Sequence, residues 1–234
     1  MDYNNYDRGY AEPSMSASDY MTRTYRWMAG GLLVTFAMAY ITATTSLIYL
    51  VNSLYFLLTI GELALVFMLS ARVQKMSIDG ARAAFFGYAI LNGMVLSYYF
   101  LMFSVGTLVM AFLATAVYFG SWLCTAPPPI KTSPAGPPPD DGSGGHDRHQ
   151  PRGCALRLWL RRSVLYCGIG LVVFMLLTAY DTQKLRQIYA YYAGDAELAE
   201  KASIYGALTL YLDFINIFLY VVRLLGMNSR SRNN

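Results

Sequence analysis

Two aspartates interrupt long apolar stretches late in this chain. Asp181 lies in Phe174-Met-Leu-Leu-Thr-Ala-Tyr-Asp181-Thr-Gln, and Asp213 in Leu210-Tyr-Leu-Asp213-Phe-Ile-Asn-Ile-Phe218. A carboxylate at bilayer depth is costly unless it is protonated, paired or wetted, so an intramembrane acid marks a functional site by default. If the two face one another, burial and like charge both disfavour double ionisation, and the pair would share a proton. Such a pair is a pH switch that needs no histidine. The competing reading of Asp181, which is followed by Thr182, Gln183 and Lys184, is an interfacial acid that opens a polar loop.

Other polar residues keep company with these acids. On a helix turning by ~100° per residue, Asp213, Asn216, Tyr220 and Arg223 fall within about an 80° arc. Glu62 and Arg72 repeat the sequence offset of Asp213 and Arg223, about 15 Å along a helix axis. Acid set against base on neighbouring helices would neutralise both in a low dielectric, and a static ion-pair lattice is the plain alternative to a functional one. Asp181, Asp213 and Glu62 offer oxygen ligands of the kind Ca²⁺ accepts, too few for a tight cage but enough for transient contact. His146, His149, Cys124, Cys154 and Cys167 match no zinc-ligand spacing. With no Gly-rich Lys-Ser/Thr nucleotide motif either, no cofactor is expected.

The elements that must position these residues are membrane helices. Of the 234 residues 56% are hydrophobic and only 14% charged, against about a quarter charged in soluble domains. Nucleic-acid binding would need a basic stripe on a soluble fold, which a net charge of +4 spread over loop ends does not supply. Apolar stretches run at about 27–50, 55–71, 83–103, 106–123, 164–180 and 204–225. Without period-2 alternation they read as helices, each approaching the roughly 20 residues that cross a bilayer. The fold expected is therefore an all-α, polytopic membrane bundle with six clear spans. Residues 1–26 read as a polar, disordered or interfacial tail without a signal-peptide pattern, 27–226 as the bundle, and 227–234 as a second polar tail.

Charge sets the sidedness. Arg8, Arg23 and Arg26, the Arg72–Arg82 connection and the Lys184–Lys201 connection all belong on the cytoplasmic side by the positive-inside rule. Two connections on one side are separated by an even number of crossings, yet only three apolar stretches lie between Arg82 and Lys184. One helix is missing. Its place is taken by residues 124–163, which with the start of the next stretch hold eight of the nine prolines, all three cysteines and both histidines. This segment reads either as a flexible Pro/Gly-rich linker or as a compensated frameshift. Read one base later, codons for 138–147 are compatible with Leu-Leu-Met-Met-Gly-Leu-Val-Gly-Met, which is membrane-helix sequence. As written, Pro-rich and charged sequence cannot span hydrocarbon.

Leu177-Thr-Ala-Tyr-Asp-Thr-Gln-Lys-Leu185, the Leu210–Phe218 motif and Arg223-Leu-Leu-Gly226 resemble the Bax inhibitor-1 (transmembrane Bax inhibitor motif) family, and Tyr25-Arg-Trp-Met-Ala-Gly-Gly-Leu-Leu33 resembles its bacterial members. The likeness covers about 26–120 and 168–226. It implies seven helices around a central last one and a pH-sensitive calcium leak in a bacterial inner membrane. It makes Asp181 and Asp213 the proton sensor and contact for permeant calcium, Arg72 the latch on Asp213 in the closed pore, and Glu62, Arg223 and Asn216 further polar positions. The anomalous segment replaces the fifth helix. Two other classes compete: a non-catalytic partner regulating a membrane protease or a death pathway, and an intramembrane aspartyl protease. The bulky Leu212 and Phe214 around Asp213 would crowd a peptide substrate, so an enzyme is not expected.

Overall fold

The computed structural model describes residues 15–124, 154–192 and 194–232. Most of the anomalous segment, residues 125–153, lies outside the described residues, as does the tail before Met15. Helix α1 spans Ala17–Thr44. It starts ten residues before the first apolar stretch because Ser16 caps it: the Ser16 hydroxyl accepts from the Asp19 N–H (3.1 Å) and donates to the Asp19 carboxylate (2.7 Å). Polar composition hid this start, although Tyr20 and Thr24 are fully buried.

Helix α2 spans Leu47–Arg72. The break expected at 51–54 falls inside it, and the chain turns instead at Thr45–Ser46. The polar residues that suggested a loop satisfy themselves within lipid, as they must there. The Ser53 hydroxyl donates to Tyr49 O (3.1 Å), and Asn52 Oδ1 accepts from the Tyr98 hydroxyl (2.9 Å). A 3-10 turn at Val73–Lys75 leads to α3, Ile78–Met102, whose cap Ser77 accepts from the Gly80 N–H (3.1 Å). Helix α4 spans Val105–Cys124, α5 Cys154–Tyr192 and α6 Ala196–Arg232. Asp195 opens α6 by accepting from the Glu197 and Leu198 N–H groups (2.9 and 3.0 Å). Among the described residues there is no strand. Five of the six helices are long and apolar enough to cross a membrane, and α4 carries a shorter apolar stretch, Val105–Ser121.

Helix α6 is the hub. It packs against α1, α3, α4 and α5, while α2 leans on α3 and α1 at the edge. Tyr211, Phe214 and Phe218 of α6 sit in the core with Leu32 of α1, Phe85 of α3 and Leu108 of α4. Phe36 meets both Phe112 and Phe218 edge-on, with centroids 4.7 and 5.2 Å apart. Close helix approach needs small residues. A Cβ built on Gly93 of α3 would stand 2.5 Å from the Thr35 carbonyl of α1. The opposite pattern holds on α2, where Phe56, Leu57 and Phe67 are widely exposed, as expected for a lipid-facing helix.

Both basic connections meet at one end, in accord with the charge pattern. Gln74 donates to the Tyr192 hydroxyl (2.7 Å), and Arg82 bonds Glu200 (2.8 Å). Helix α6 leaves this end. Helix α4 runs back along it, Phe112 meeting Phe218 through Phe36 and Phe119 meeting Phe214. Helix α5 does the same, with Phe174 on Tyr220 and Leu185 beside Gly206. Helices α4 and α5 are therefore parallel. The last residue of α4 and the first of α5 face opposite ends, which is the parity the charges demand.

Candidate functional site

Asp213 lies in the middle of α6, only 6% exposed. Its Oδ2 atom is buried and accepts no hydrogen bond among the described residues, an arrangement that carries a large desolvation cost. Helix α5 presents Thr178 and Asp181, one turn apart, to this carboxylate. The Thr178 hydroxyl is buried, donates to Phe174 O (2.9 Å) and lies beside the Asp213 carboxylate. Asp181 is half-buried and lies within electrostatic range of Asp213 and of Lys184. No lysine or arginine among the described residues pairs with Asp213. Tyr118 of α4 sits within electrostatic range of Asp213 while its hydroxyl donates to Met175 O (2.8 Å). Tyr118 was not singled out from the sequence, because nothing in an apolar stretch distinguishes a site tyrosine from a core one.

The other expected polar positions are dispersed. Glu62 faces α3, where it accepts from the Tyr88 hydroxyl (3.2 Å) and from Asn92. Arg223 is exposed, donates to the Tyr99 hydroxyl (3.1 Å) and lies over the Tyr220 ring. The acid–base opposition read from the shared offset is thus not formed: Glu62 meets neutral donors and Arg223 a phenol. Asn216 turns its amide back to Leu212 O (2.9 Å). Arg72 is exposed at the end of α2 and makes no ion pair with Asp213.

A charge cluster absent from the sequence reading holds the basic end. Glu200 of α6, nearly buried, accepts from Arg23 of α1 and from Arg82 of α3 (2.8 Å). Arg82 also bonds Asp79 (3.1 Å) and lies 5.2 Å from the Trp27 ring centroid. These partners are 118 and 177 residues from Glu200, so local spacing gave no sign of them.

A peripheral α2, a hub helix with a buried acid and a second acid facing it define a multi-pass integral membrane protein organised around its last helix. The family model described as "Inhibitor of apoptosis-promoting Bax1" matches residues 17–131 and 156–230, and the chain belongs to that family. The unmatched stretch between those blocks falls within the Pro/Gly-rich segment. The chain is 34% identical over 227 residues to the inner membrane protein YbhL of Escherichia coli K12, covering 92% of this chain and 94% of the relative. It is 39% identical over 213 residues to an uncharacterised protein of Deinococcus radiodurans, covering 88% and 89%. An uncharacterised membrane protein of Streptococcus pyogenes is 26% identical over 234 residues, covering 94% and 97%.

Proposed function

We propose that this chain is a calcium leak channel of the bacterial inner membrane, gated by protonation of the Asp181–Asp213 pair. One observation carries the reading: Asp213, buried in the hub helix without an ion-pair partner among the described residues, lies within electrostatic range of Asp181 on the adjacent helix. A pair so placed has two inexpensive states, one holding a shared proton and one holding a bound cation. Two carboxylates and the Thr178 hydroxyl are a poor permanent calcium cage and a good passing site, since conduction needs sites weak enough to release the ion. Proton and calcium then compete for the same oxygens, which makes the leak sensitive to pH.

The test is calcium entry into dye-loaded proteoliposomes containing the full chain, Asp213→Asn or Asp181→Asn. The reading expects wild-type flux above that of empty vesicles, and a loss of about tenfold or more in Asp213→Asn, because a neutral amide offers calcium far less than a carboxylate. Equal flux through wild type and Asp213→Asn would place any conduction elsewhere.

A further inference from the structure

At the basic end, α1, α3 and α6 enclose an open cavity of about 450 Å³ lined by Arg23, Arg26, Trp27, Gly30, Arg82, Phe86 and Glu200. We propose that it is a phosphate-binding site for the headgroup of an anionic phospholipid. Three guanidinium groups line it against the single carboxylate of Glu200. Arg23 and Arg82 reach that carboxylate, and Arg82 also bonds Asp79 (3.1 Å), yet their side chains remain 45% and 38% exposed. Arg26 makes no hydrogen bond or ion pair among the described residues, although it lines this cavity and a neighbouring one that also contains Arg186. Guanidinium forks match phosphate oxygens in geometry and charge.

The walls favour a lipid over a free anion. Trp27 and Phe86 pack edge to face (5.9 Å) on the membrane side of the arginines, where an interfacial tryptophan belongs. Gly30 leaves the face of Phe86 uncovered: a Cβ there would already rest in van der Waals contact with that ring (3.8 Å), and a larger side chain would cover it. One turn deeper, Leu33 of α1 and Ile90 of α3 are exposed and continue the apolar track. A phosphate at Arg23, Arg26 and Arg82 would lay its acyl chain along this track. The site lies about 20 Å from Asp213 along α6, so its fate and that of the aspartate pair are separable.

The experiment titrates the purified full chain in a non-ionic detergent with short-chain phosphatidylglycerol, short-chain phosphatidylcholine and glycerol 3-phosphate, and repeats the series with two variants. Arg26→Gln leaves the Glu200 contacts in place, and Gly30→Leu covers the apolar face beside Phe86. Phosphatidylglycerol should bind about tenfold more tightly than either other ligand. Arg26→Gln should weaken it about fivefold, the effect expected of one basic residue on an anionic lipid, with Arg26→Lys retaining most of the affinity. Gly30→Leu should weaken phosphatidylglycerol and leave glycerol 3-phosphate unchanged. Equal binding of both phospholipids, or indifference to Arg26→Gln, overturns the site. Glycerol 3-phosphate binding as tightly as phosphatidylglycerol overturns the lipid assignment in favour of a soluble phosphate.

Discussion

Two glycines on α3 should respond in opposite directions to the same substitution. Replacing a helical glycine by alanine stabilises a helix by about 0.8–1 kcal/mol through backbone entropy. At Gly87 a new Cβ meets nothing within 4 Å, so Gly87→Ala should keep most of that gain. At Gly93 the new atom would lie 2.5 Å from Thr35 O, 2.8 Å from Met38 Cβ and 3.2 Å from Thr35 Cα. Two of those three neighbours are backbone, so no rotamer change relieves the overlap and α1 must move off α3. Overpacking of this kind costs about 1–3 kcal/mol. Moving α1 also strains the bond from the Thr35 hydroxyl to Ala89 O (3.0 Å). Subtracting the helix gain leaves a loss of about 0–2 kcal/mol, and the strained bond places Gly93→Ala in its upper half, at about 1–2 kcal/mol. Thermal unfolding of both variants in one detergent reads the difference. For a chain of this size each kcal/mol moves Tm by about 2–4 °C, so Gly87→Ala should rise by about 2 °C and Gly93→Ala fall by about 4 °C. If both rise together, the α1–α3 contact is not as close as described.

Four further substitutions probe the polar groups. Glu200→Gln removes the charge that Arg23 and Arg82 share; since both arginines can rehydrate, the loss should be about 2 kcal/mol, less than for a fully buried pair, read as a Tm drop. A change below about 0.5 kcal/mol would mean that the cluster is only a surface ornament of the fold. Thr35 spends its proton on Ala89 O, so Tyr211 must be the donor in their 2.6 Å contact. Tyr211→Phe should therefore cost about 1 kcal/mol, and an unchanged Tm would contradict that assignment. Asn92→Leu takes from Glu62 one of its two donors; a loss of about 1–3 kcal/mol is expected, and Glu62→Gln in the same background should recover part of it.

Much of the architecture was readable in the sequence because lipid enforces it. Long apolar stretches can only be helices, and the arginines and lysines of 72–82 and 184–201 gave the shared end and the need for another crossing. Asp181 and Asp213 stood out for the same reason: a carboxylate inside an apolar stretch has few innocent explanations. Boundaries were harder. Asn52 and Ser53 looked like a turn, yet a membrane helix absorbs such residues by local bonding. Ser16 and Asp19 carried a cap signature that the surrounding polar residues obscured. Partner choice was not legible at all. The offset shared by Glu62–Arg72 and Asp213–Arg223 describes each helix alone, and which neighbour a side chain meets depends on rotation and packing. Glu62 consequently found Tyr88 and Asn92, and the arginines that do form ion pairs, Arg23 and Arg82, found Glu200.

The most direct measurement of the central claim is calcium flux across about pH 6, 7 and 8 for wild type and Asp213→Asn in the same proteoliposome preparation. The shared-proton account predicts a wild-type leak that changes severalfold over this interval and a variant whose residual flux does not follow pH. A wild-type leak indifferent to pH, or an identical pH profile in Asp213→Asn, would contradict it.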